Sequence, residues 1–163
     1  MCLPEKECKM KRRFHFLRNL LLLLIVILTV GCAAGSTTIA PPTIRYGEDL
    51  CAECSMIISD PRFAAGYAYE LSAGRYESLA FDDIGDLLVH MTKHPDRKAV
   101  AWYVHDYASE EWLDATAAYY VVSETIPTPM GHGIAAHATV AAAEAMAAEQ
   151  TGVVLEWEAL LAR

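Results

Sequence analysis

Residues 63–104 read FAAGYAYELSAGRYESLAFDDIGDLLVHMTKHPDRKAVAWYV, and the order of elements in this stretch decides the fold. Residues 63–71 and 75–81 are aromatic and apolar runs parted by Ser72-Ala73-Gly74, the spacing of a β-hairpin. Asp82-Asp83 then opens a helix. Ile84, Leu87, Leu88 and Met91 recur at i, i+3, i+4 and i+7 to form one apolar face, and the aspartates sit where the helix dipole favours negative charge. His94-Pro95 ends the helix, and residues 99–104 read as a buried strand. The whole is a strand-strand-helix-strand unit, in which Met91 belongs to the core and not to a ligand set.

Toward the C-terminus the order repeats. Residues 111–114 and 117–122 read as short strands, Thr139 caps an alanine-rich helix to about Gln150, Gly152 suits the left-handed position after it, and residues 153–157 read as a strand. The expectation is an α+β domain over residues 44–163, built from two ββαβ units without residue-level identity between them. Asp106-Tyr107 and Trp112-Leu113-Asp114-Ala115 read as structural, forming the turn between the halves.

Toward the N-terminus, residues 32–43 are small and polar with Pro41-Pro42 at the end, the composition of a tether. Before it, basic residues from Lys6 to Arg18 precede an apolar run from Leu20 to Val30. As a helix that run would rise only about 16 Å, short of the roughly 20 residues that cross a bilayer. Residues 1–31 therefore read as a signal peptide. Thr29-Val30-Gly31-Cys32 resembles the lipobox of bacterial lipoproteins, which implies acylation of Cys32 and export to the outer face of a membrane. Loss of residues 1–31 removes six of the 13 Lys/Arg and two of the 21 Asp/Glu, leaving a net charge of −12. So acidic a chain is repelled by phosphate backbones, which excludes nucleic acid as a partner.

The chemistry-bearing residues form two clusters. Cys51-Ala52-Glu53-Cys54-Ser55-Met56 places two thiols and a thioether within six residues, and Pro129-Met130-Gly131-His132-Gly133 presents a thioether and an imidazole between flexible glycines. Thiolate, thioether and imidazole donors select soft ions such as Cu(I), whereas structural zinc wants two spaced pairs of Cys or His. His137 is a weaker candidate beside them. Two other readings of the pair remain open: a thiol-disulfide redox motif, and a local disulfide in an oxidising compartment. No nucleophile elbow, phosphate loop or His-Glu-x-x-His occurs, and Asp82, Asp83 and Asp86 read as capping and solvated charge. The chain reads as a binder, not an enzyme.

Taken in order, Cys51-Ala52-Glu53-Cys54-Ser55-Met56-Ile57, Phe81-Asp82-Asp83-Ile84-Gly85, Val104-His105-Asp106-Tyr107, Trp112-Leu113-Asp114-Ala115, Pro129-Met130-Gly131-His132-Gly133 and Gly152-Val153-Val154-Leu155 resemble the NosL family of copper-binding lipoproteins. The resemblance implies two ββαβ units similar to the organomercurial lyase fold. It implies a Cu(I) metallochaperone whose client is nitrous oxide reductase, with another exported copper enzyme as the alternative. The family's Cys-Gly-Met falls on Cys54, Ser55 and Met56, and its Pro-Met-Gly on Met130. The implied ligands are thus Cys54, Met56 and Met130, with His132 or water completing the site and Cys51 as a further ligand or redox switch.

Overall fold

The structure, a computed structural model, describes residues 37–163. The signal peptide, Cys32 and the first part of the tether lie outside the described residues. Two antiparallel sheets carry the fold. In the first, β1 (Ala65–Ser72) is flanked by β2 (Arg75–Phe81) and β3 (Ala99–His105), and β4 (Trp112–Asp114) extends it beyond β3. In the second, β5 (Tyr119–Val122) is flanked by β6 (Ile134–His137) and β7 (Val153–Glu156). Helix α1 (Ile84–Lys93) joins β2 to β3, α2 (Val140–Gln150) joins β6 to β7, and a short α3 (Trp157–Leu161) closes the chain.

Both halves therefore run strand-strand-helix-strand, with the first strand central in each sheet. The β1–β2 hairpin turns where expected, and Gly74 holds φ +71 there in open space. Asp83 is the N-cap of α1, its carboxylate accepting from the Gly85 amide at 2.7 Å, and His94 is the C-cap. Pro95 cannot continue the helix. The buried face of α1 (Ile84, Leu87) packs with Tyr67, Phe81 and Val104 from the first sheet, Tyr120 and Ile134 from the second and Trp157 from α3, so the two units share one core. The sheets are stitched at Asp106, which bridges Ala136: the Tyr107 amide donates to the Ala136 carbonyl at 2.8 Å, and the Ala138 amide to the Asp106 carboxylate at 2.9 Å.

Four expectations need correction. The segment at residues 111–114 does not open the second unit. Asp106 and Glu111 pair through a tight turn with Glu110 at φ +59, so the chain folds back and β4 pairs with β3, Tyr103 facing Asp114. The second unit takes its missing strand from Ile134-Ala135-Ala136-His137, whose alanines carry little strand propensity and which is set in place by complete burial. The left-handed residue after α2 is Thr151 (φ +51), not Gly152; a Cβ on Gly152 would come within 2.8 Å of Val121, so that glycine serves close approach to β5. Finally, β3 is fully buried only at Val104 and His105, and β7 ends at Glu156 because Trp157 begins α3.

The far end of the tether is bound to the domain. Pro42 is buried where Gly66 leaves no Cβ in the way, and Ser78 donates to the Ala40 carbonyl at 2.9 Å. Packed chain thus begins slightly before the boundary drawn from composition at residue 43.

Candidate metal centre

The cysteine segment is a closed loop. Leu50 bridges Ile57, the Cys51 amide donates to the Met56 carbonyl at 2.8 Å, and the Ser55 amide returns to the Cys51 carbonyl at 3.0 Å. The Ala52 amide donates to the Ala80 carbonyl at 2.9 Å, which fastens the loop to the end of β2 beside the start of α1. Glu53 fastens it to the other end of that helix. Its carboxylate accepts from His90 Nδ1 at 2.9 Å and ion-pairs with Lys93, while His90 Nε2 accepts from Arg97 at 2.8 Å. The hydrogen bond from Lys93 holds the Glu53 carboxyl below its ordinary pKa. Cys51 is buried, Cys54 half-buried, and Met56 lies at the rim, 54% exposed.

Ser55 holds φ +62, a left-handed conformation that costs a residue with a Cβ about 1–2 kcal/mol. Ser55→Gly is therefore expected to raise stability by about 1 kcal/mol, seen as a thermal midpoint higher by about 4 °C. A lower midpoint would overturn this account of the loop.

The second cluster is delivered by the loop between β5 and β6. Gly131 and Gly133 adopt positive φ, and the buried Thr128 accepts from the Gly131 amide with its carbonyl and from the Gly133 amide with its hydroxyl. The Met130 amide donates to Asp83 Oδ2 at 3.2 Å, so the carboxylate that caps α1 also holds the methionine loop. The His132 ring lies over Gly85, where a Cβ would come within 2.0 Å of its Cγ.

Between the two loops stands Asp86, which in the sequence reads as capping and solvated charge. It is 4% exposed. Its Oδ2 accepts from the Cys51 thiol at 3.3 Å, and its Oδ1 lies 3.3 Å from His132 Nε2. The Cys51 and Cys54 sulfurs and an Asp86 oxygen all lie within 4.8 Å of one another. Burial first, and then the neighbouring Asp86 and Cys51, push the Cys54 thiol up to about 12, against an opposing hydrogen bond from the Met56 amide. The signal for Asp86 was present: Asp83 and Asp86 are spaced i, i+3 around Gly85, on the side of the helix start that carries Ile84 and Leu87 into the core.

The structure thus brings Cys51, Cys54 and His132 to one carboxylate and fixes the Met130 backbone at the same helix end. It leaves Met56 facing outward and puts His137 at the far end of β6, against Met146.

Residues 43–162 match the NosL family model, most of the chain. The chain belongs to the NosL family. A curated NosL relative, the copper-binding lipoprotein NosL of Stutzerimonas stutzeri, is 31% identical over 125 residues, which is 72% of this chain. The match spans 64% of that relative's own length. Among solved structures, the copper chaperone NosL from Shewanella denitrificans superposes with a TM-score of 0.63 at 20% identity, covering 74% of this chain and 95% of that one. That likeness supports the NosL fold for the paired ββαβ units. The names of these NosL relatives are those of a binder and a carrier, not of a catalyst. Among the described residues of this NosL chain no helix is long and apolar enough to cross a membrane.

Proposed function

We propose that this chain is an exported carrier of Cu(I), anchored to the bacterial membrane through acylated Cys32, that hands its ion to a client copper enzyme. The observation that supports this best is the meeting of two thiols and a buried carboxylate beneath the Met130–His132 loop. Cu(I) is the cargo. Cys54 supplies a thiolate, Met56 and Met130 supply thioethers, and His132 or water fills the remaining position, with Cys51 in reserve. In this scheme Asp86 keeps His132 Nε2 occupied, so the ring offers Nδ1 to the ion. Met56, on the rim, is the donor that an incoming client ligand can replace first.

Nitrous oxide reductase is the client this reading favours, with another exported copper enzyme as the alternative. The competing redox reading has the proximity of Cys51 and Cys54 in its favour. Against it, a redox pair of this kind stands at a helix N-terminus that activates its first thiol, whereas Cys51 and Cys54 lie in a turn that no helix continues.

The test is anaerobic Cu(I) titration of the reduced full chain in detergent against a competing chelator. One tightly bound ion per chain is expected, weakened about tenfold or more in Met130→Ala. Because the free Cys54 thiol is protonated up to about pH 12, binding through it must release a proton. Affinity is therefore expected to rise about tenfold per pH unit between pH 6 and 9 and to fall as pH is lowered. A flat profile over that range would rule out a thiolate ligand.

A further inference from the structure

Outside this centre a second pair of soft donors faces each other. His137 closes β6 and is 3% exposed, and its Nε2 lies 3.2 Å from Met146 Sδ on α2. Its Nδ1 is buried and has no hydrogen-bond partner among the described residues. Tyr107 packs against the ring with centroids 5.8 Å apart, and Met146 packs on the small core of Phe63, Val121, Ile126, Ala135 and Ala143 while remaining half-exposed. The side chain that meets Nε2 therefore belongs to a half-exposed methionine.

We propose that His137 and Met146 form a second site for a soft monovalent ion, Cu(I) or Ag(I), distinct from the cysteine centre. Neutral imidazole nitrogen and thioether sulfur are both ligands of choice for such an ion and require no thiol to be kept reduced. With metal–nitrogen and metal–sulfur bonds of about 2.0 and 2.3 Å and water as the third ligand, a trigonal ion wants the two donors about 3.7 Å apart. The observed 3.2 Å needs an outward movement of only about 0.5 Å, which three rotatable bonds give methionine readily.

An ion on Nε2 leaves the proton on Nδ1; burial holds the ring's pKa below its ordinary value and keeps the imidazole neutral, with the Asp106 carboxylate only partly opposing it. β6 alone separates the strand start near His132 from His137 by about 10 Å, too far for one ion to be shared. The two sites thus hold separate ions, and without a thiolate the second is the weaker.

The experiment is titration of the full chain in detergent with Ag(I), read by ion count and by the nitrogen NMR resonances of its imidazoles. Two ions are expected in the wild type and one in Met146→Leu, a substitution that conserves volume and keeps the fold. The His137 Nε2 resonance is expected to shift at the second equivalent in the wild type and to stay in place in Met146→Leu. In Cys54→Ser the His137 response is expected to persist, so the cysteine centre can fail without this site failing. A single ion in the wild type, an unmoved His137 resonance, or a second ion untouched by Met146→Leu would each overturn the assignment.

Discussion

Cys54→Ser is expected to weaken Cu(I) binding by at least about a hundredfold. Structural metal sites with four protein ligands are worth about 10–16 kcal/mol, so one ligand carries about 3 kcal/mol, or two powers of ten in affinity. A serine hydroxyl at the same place is a hard, neutral donor that a soft ion does not choose. The fold is not expected to suffer, since Cys54 is only half-buried and the loop is closed by backbone hydrogen bonds from Cys51, Ala52 and Ser55. Cys51 stands within 4.8 Å and could take over, but it is buried and already gives its hydrogen to Asp86. A chelator competition that finds less than a tenfold loss would move the thiolate role from Cys54 to Cys51, and no loss would end the thiolate reading.

The first unit was legible because each boundary carried its own local chemistry: Gly74 at the hairpin, Asp83 at the cap, Pro95 after the stop, and an apolar stripe between. The second was half-legible. Thr139 announced α2, accepting from the Ala142 amide, but β6 had no local signature, since Ala135 and Ala136 become strand only through burial between the halves. The site divides in the same way. Soft donors advertise themselves by residue type, so Cys51, Cys54, Met56, Met130 and His132 could be named from sequence. An aspartate does not, because its role depends on what lies opposite. Asp83 looks like a cap and is one, but it also holds Met130 across 47 positions of sequence. Asp86 looks like surface charge and is instead the carboxylate on which Cys51 and His132 meet.

Gly133→Ala is expected to be the most damaging single-methyl change near the site, costing about 3 kcal/mol and lowering the thermal midpoint by about 10 °C. Two costs add there. Gly133 holds φ +67, worth about 1–2 kcal/mol to any residue with a Cβ, and the added carbon would come within 2.1 Å of the Ser123 carbonyl oxygen. That oxygen is backbone, at the end of β5, and Gly133 itself accepts from the Ser123 amide at 2.9 Å, so neither partner can swing away. Relief requires β5 and β6 to splay at the base of the loop, which carries Met130 and His132 with it. Gly131→Ala is the control two residues away. It has the same handedness, φ +74, but nothing lies within 4 Å of the new methyl, so only the backbone cost of about 1–2 kcal/mol applies. If the two variants melt together, the close approach to Ser123 is not what holds this loop; if Gly133→Ala alone also loses Cu(I) affinity, the pairing of β5 with β6 is what sets the methionine loop over the cysteines.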